Sequence, residues 1–133
     1  MNRHMPKPPR IHTYELPGGW TAMVGKTDRD NDRLSIKLAH PGDWWFHIHG
    51  MPGSHVILKT KENGEEPGRE IFKTAAAIAA YHSKARRGGI VPVSCTLARY
   101  VTKPRGAKLG TVTIRKERII KVRPALPAAN TPF

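Results

Sequence analysis

The chain predicts an α+β domain: a mostly antiparallel mixed sheet of about seven strands, packed by one long helix and one short one. Three observations carry that expectation. Short runs of alternating apolar residues, bounded by Pro and Gly, recur along the chain. One alanine-rich stretch, 69–87, keeps a helical period instead. A length of 133 residues with 38% hydrophobic content suits one domain with a modest core.

Residues 1–10 are Pro-rich and basic and read as a flexible arm, and 125–133 as a Pro/Ala tail, leaving 11–124 as the domain. Strands at 12–16 and 20–24 form a hairpin across Pro17-Gly18-Gly19. Thr27 or Asp28 caps a short helix running to about Ala39, with Asp28, Asp30 and Asp32 favourable near its positive end. Strands follow at 44–49 and 54–60, then a polar loop at 61–68. In the helix at 69–87, Ile71, Ala75, Ile78, Ala79 and His82 share a face, and Gly88-Gly89 stops it. Segments 90–103, 110–116 and 118–123 read as the closing strands.

No run approaches bilayer length, and the start MNRHMPKPPR lacks the apolar stretch of a signal peptide. The single Cys95 excludes an internal disulfide and a cysteine-based zinc site, so a reducing cytoplasm is the expected setting. Lys and Arg total 23 against 10 Asp and Glu, a net charge of +13. From Lys84 onward, 12 basic residues face the single acid Glu117, which places +11 of that charge in the C-terminal third. Such an excess implies an anionic partner, with nucleic acid ahead of an acidic membrane or protein.

The densest chemistry lies in 43–58, DWWFHIHGMPGSHVIL. Alternation points Trp44, Phe46 and Ile48 one way and Trp45, His47 and His49 the other. Val56 and Leu58 join the apolar face, leaving His55, Ile57 and Lys59 opposite. The histidines then have three readings: hydrogen-bonded neighbours of a core, polar contacts to phosphate or ribose beside a Trp45 stacking surface, or metal ligands. The metal reading rests on His47-x-His49 with His55, and lacks support from any carboxylate between Asp43 and Glu62. Pro52-Gly53 fits the centre of a type II turn, which either closes the hairpin or offers N–H groups and the Ser54 hydroxyl to a phosphate.

For gripping phosphates, Ser83, Lys84, Arg86 and Arg87 are expected at the end of the long helix, and Lys103, Arg105 and Lys108 on a Pro/Gly loop. Arg115, Lys116, Arg118 and Lys121 crowd the last strands as well. Catalysis has weaker support. Ser54/His55 and Ser83/Lys84 are adjacent pairs that point apart on a strand, and Asp43 with His47 or His55 is at best an acid/base pair. No glycine-rich nucleotide loop is present.

Asn31-Asp32-x-Leu34, Asp43-x-Trp45-Phe46-His47, Pro52-Gly53-Ser54-His55-Val56 and Ser83-Lys84-Ala85-Arg86 resemble, in that order, the NFACT-R domain. Val101-x-Lys103-Pro104-x-Gly106, Gly110-x-Val112 and Val122-x-Pro124 resemble its closing strands. The likeness covers roughly residues 12–124. It implies an RNA-binding module of proteins acting in ribosome-associated quality control, with tRNA or rRNA as substrate, no cofactor and no catalysis. Lys26-Thr27 stands where family members more often read Arg-Asn, which keeps the charge and changes its geometry. The residue readings above and the resemblance together give Lys26, Asn31, Trp45, His47, His49, Ser54, His55, Ser83, Lys84, Arg86, Arg87, Lys103, Arg105 and Lys108 as RNA-contact candidates. The expectation is a stand-alone, bacterial-type member whose partners are RNA, the large ribosomal subunit or an RNA-modifying enzyme. Its alternatives are an adaptor in RNA modification and a His-based, metal-dependent RNA-processing enzyme.

Overall fold

The computed structural model describes residues 10–128, so the expected basic arm, apart from Arg10, and the end of the tail lie outside the described residues. Eight strands form in chain order: β1 (Ile11–Leu16), β2 (Trp20–Gly25), β3 (Trp44–Ile48), β4 (Val56–Leu58), β5 (Val91–Leu97), β6 (Val101–Thr102), β7 (Thr113–Ile114) and β8 (Arg118–Val122). Six of them make one sheet in the order β1-β2-β4-β3-β5-β8, and β6 and β7 pair separately. The pairings are antiparallel. The architecture is the α+β one expected from the sequence.

One face of the sheet carries helix α2 (Arg69–Tyr81). Ala75, Ala76, Ala79 and Ala80 are buried there together with Ile78, so the short methyl side chains let the helix backbone lie close to the strands. Phe46, Ile48, Val56 and Leu58 meet them from the sheet, as alternation predicts. Truncating a ring such as that of fully buried Phe46 typically costs about 3–5 kcal/mol.

The opposite face, for which the sequence left three readings, is a second core of Leu34, Trp45, Ile57 and Val101. Leu34 comes from the short helical segment. Thr27 caps it with a full capping box: its hydroxyl accepts from the Asp30 N–H, while Asp30 accepts from the Thr27 N–H. Only α1 (Asp28–Asp32) is α-helical; Arg33–Leu38 winds as a π-helix.

Several boundaries contract for tertiary reasons. α2 ends at Tyr81 rather than Arg87, because the chain beyond it pairs with the β3–β4 connection. Gly53 and Ser83 form an antiparallel bridge, the Ser54 N–H donates to the His82 carbonyl at 2.9 Å, and the Lys84 N–H donates to the Pro52 carbonyl at 3.3 Å. The expected strand 90–103 stops at Leu97 in a 3₁₀ turn, Ala98–Tyr100. The left-handed residue of the hairpin turn is Gly50 (φ 77°), not Gly53, so Pro52-Gly53 is not a type II turn. Gly53 serves close approach instead: a Cβ there would lie 2.8 Å from the Ser83 Cβ. Among the described residues, no helix is long and apolar enough to cross a membrane.

Candidate nucleic-acid interface

Three segments converge beside the β3–β4 connection. The β2–α1 junction brings Lys26 and Asn31, the connection brings Ser54, and the turn after α2 brings Ser83, Lys84 and Arg86. Together they line an open cleft of about 440 Å³. Six expected contact residues, separated by up to sixty positions in sequence, are thereby brought together. Lys26 stands on one wall, and Lys84 and Arg86 on the other.

The walls are firmly built. The Arg86 Nε donates to the Tyr81 carbonyl at 2.6 Å, and its guanidinium lies 4.0 Å from the centre of the Tyr81 ring. The Ser83 hydroxyl donates to the Ala80 carbonyl at 2.6 Å and accepts from the Ala85 N–H at 3.0 Å. Ser83 therefore holds the turn rather than offering a hydroxyl to a ligand. The N–H groups beside the connection are likewise occupied, that of Ser54 by His82 and that of His55 by the Asn31 Oδ1 at 3.1 Å. The expected backbone phosphate nest is thus absent at these groups. Charge in the cleft comes from side chains, and the Ser54 hydroxyl makes no hydrogen bond to another described residue.

Asn31 is only 4% exposed, and beneath it runs a buried polar chain. Trp45 Nε1–H donates to the Ser35 Oγ at 3.1 Å, and Ser35 Oγ lies 2.8 Å from the His55 Nδ1. His55 Nε2 lies 3.2 Å from the Gly110 carbonyl. That carbonyl can only accept, so the Nε2 carries the proton; Nδ1 of the neutral ring is then an acceptor, and the Ser35 hydroxyl donates to it. Burial is the main reason that His55 stays neutral, followed by repulsion from His47, and its pKa falls to about 4.

These contacts correct three expectations. Trp45, 3% exposed and stacked on His47 at 5.8 Å, is not a surface on which a base could stack. His55, with both ring nitrogens bonded, has no lone pair for a metal or a ligand. His47 and His55 meet edge to face at 5.4 Å, but His49 turns elsewhere, with its Nδ1 2.9 Å from the Ser94 Oγ and 3.3 Å from the Glu117 Oε2. Among the described residues, no group of three His, Cys, Asp or Glu side chains is placed to hold a metal. Burial, and to a smaller degree the charge of His49, also lowers the His47 pKa.

Lys103 is committed as well. Its ammonium lies 3.1 Å from the Asp32 Oδ2 and donates to the Thr111 carbonyl at 2.9 Å, inside the loop it was expected to extend from. Arg105 and Lys108 are exposed on that loop, and Arg87 is exposed beyond the cleft. Asp43 pairs with neither His47 nor His55. It is fully buried, accepting from Lys59 Nζ at 2.6 Å, the Thr60 N–H at 2.8 Å and the His40 N–H at 2.9 Å. Burial alone would raise its pKa; the hydrogen bonds from Lys59, Thr60 and His40 overcome that and lower it.

Sequence reasoning missed Ser35 and His82. Ser35 sits in a segment read only for its apolar residues. His82, expected on a helix face, leaves the helix and meets the Tyr14 hydroxyl at 2.8 Å while lining the cleft.

Comparison with known proteins agrees with this geometry. The NFACT protein RNA binding domain family matches residues 10–116. The Rqc2 homolog RqcH of Bacillus subtilis is 40% identical over 122 residues, which are 92% of this chain and 21% of that protein. The RqcH of Streptococcus suis is 37% identical, over 86% of this chain and 22% of its own length. This chain therefore spans about a fifth of the curated relatives it matches. The solved C-terminal part of the fibronectin/fibrinogen-binding protein from Streptococcus suis superposes with a TM-score of 0.81 at 36% identity, covering 94% of this chain and 49% of that one. With matched sequence and matched fold across nearly the whole described domain, the chain belongs to the NFACT-R family of RNA-binding domains.

Proposed function

We propose that the chain binds tRNA or rRNA without catalysis, holding the phosphate backbone in the cleft between Lys26 and the Lys84–Arg86 turn. The observation that carries this reading is the convergence of three exposed cations from two distant segments on an open cleft. A lysine is a flexible point charge and an arginine fixed by Tyr81 is an oriented one, so the two walls can follow a backbone without reading its sequence. Asp28 is the one carboxylate lining this cleft. Outside it, Glu117 is held by His49 and Ser94, which leaves the neighbouring C-terminal cations to provide long-range attraction.

The likeness to RqcH proteins supports ribosome-associated quality control in the cytoplasm as the setting, with the large ribosomal subunit or an RNA-modifying enzyme as the presenting partner. The test is a salt titration of binding to fluorescent tRNA and to a single-stranded rRNA fragment. With about five phosphates contacted, log K falls with log salt at a slope of about −3.5 on single strands. A slope near zero would remove the electrostatic basis of the proposal.

A further inference from the structure

We propose that the outer edge of β8 is a docking strand for an extended acidic peptide from a protein partner, at a site separate from the RNA cleft. The backbone decides the geometry. The His49 N–H donates to the Pro92 carbonyl at 3.0 Å, so the backbone of Pro92 faces β3. Alternation then turns Val91, Val93 and Cys95 toward β8, opposite Val122, Ile120 and Arg118. The N–H and C=O groups of Ile119 and Lys121 consequently point away from the sheet. No hydrogen bond from another described residue reaches them.

An open edge is ordinarily a liability, but here it borders a groove of about 610 Å³ between β8 and the start of α2. The groove has an apolar floor, with Trp44 and Phe72 ring centres 4.8 Å apart and Ile120 beside them. The Arg118 guanidinium lies 5.1 Å from each ring. Arg69 and Lys73 line it further, against Glu66 as its single acid. A smaller depression of about 340 Å³, sharing Lys73 and Lys121, continues along the same side. Exposed Ile119 projects from the far face of the edge.

Unpaired peptide groups at strand spacing suit another peptide and offer nothing a nucleobase could pair with along a ladder. The basic walls select its sign. They repel a second copy of a chain carrying +13 and attract a strand whose acids flank apolar residues that reach Trp44 and Phe72. The occupant is therefore an extended segment with about four residues at its ladder, apolar where it meets the rings and acidic on either side.

A capped eight-residue peptide with four central valines and two glutamates on either side tests this on the isotopically labelled full chain. The expected result is slowed amide exchange at Ile119 and Lys121 on adding peptide. Ile119→Pro removes only an outward donor, and should weaken binding about tenfold, the loss of roughly one hydrogen bond. Should that variant melt early, the charge variant Arg69→Glu/Lys73→Glu decides, with a comparable or larger loss expected. Unchanged exchange at both amides at millimolar peptide overturns the proposal, as does full affinity in the charge variant. Decauridylate perturbing those amides where the peptide does not would also overturn it and make the groove an RNA surface.

Discussion

His55 and Gly110, 55 positions apart, are joined by a hydrogen bond from the imidazole Nε2–H to the glycine carbonyl at 3.2 Å. Asp32 holds the same glycine from its other side, accepting from its N–H at 3.0 Å. The loop after β6 is thus tied to the buried face of the sheet through one residue, and a second proton on the His55 ring, at Nδ1, disturbs the contact with Ser35 rather than this tie.

The first consequence concerns pH. The folded pKa of His55 is depressed to about 4, below its unfolded value near 6.5, so the unfolded chain binds more protons between these limits. The associated stability is fully present above the unfolded value and is lost as pH falls toward the folded one, by up to about 3 kcal/mol. A proton on Nδ1 would face a Ser35 hydroxyl that already accepts from Trp45. His47 and His82, both lowered chiefly by burial, act in the same direction. Urea midpoints should decline from pH 6.5 to pH 4, and His55→Leu should flatten most of that decline. The lowered pKa values of Asp43 and Asp30 add a further loss only below the ordinary carboxylate range.

Gly110→Ala should destabilise the fold by about 1–3 kcal/mol. Gly110 has φ 82°, and an added Cβ would lie 2.8 Å from the Asp28 Oδ1. Gly50→Ala, at φ 77° with open space around it, isolates the backbone part and should cost less. Thermal melts of the two variants provide the comparison.

Asp43→Ala should be among the more damaging single changes, costing about 3 kcal/mol. It leaves the Thr60 and His40 N–H groups and the half-buried Lys59 ammonium without their acceptor. Lys59→Met/Asp43→Ala should recover part of the loss, measured by chemical denaturation.

Two cation substitutions should separate binding from stability. Lys26→Glu/Lys84→Glu reverses two exposed charges on opposite walls of the cleft, and should leave the melting temperature nearly unchanged. Loss of two phosphate contacts should flatten the salt slope for single-stranded RNA by about 1.4. Lys103→Glu, by contrast, places a carboxylate against Asp32 and should lower stability before it affects RNA. An unchanged slope in the cleft variant would count against the clamp.

Much of the architecture was legible locally. The period of 44–48 and 56–58 correctly placed Phe46, Ile48, Val56 and Leu58 against the alanine face of α2, because side-chain alternation is a backbone property. The capping box at Thr27 and Asp30 needs only neighbours three positions apart. The charge imbalance and the ordered motifs from Asn31 to Val122 pointed to the family without coordinates. What alternation leaves open is whatever covers a face. Trp45 and His55 look like surface chemistry until the π-wound segment and the Gly110 loop close over them, and Lys103 looks free until Asp32 reaches it. Sequence by itself determined most of the strands, the alanine face and the excess of positive charge. Only the tertiary structure decided which histidines and lysines remain available, because burial and pairing depend on segments far away in the chain.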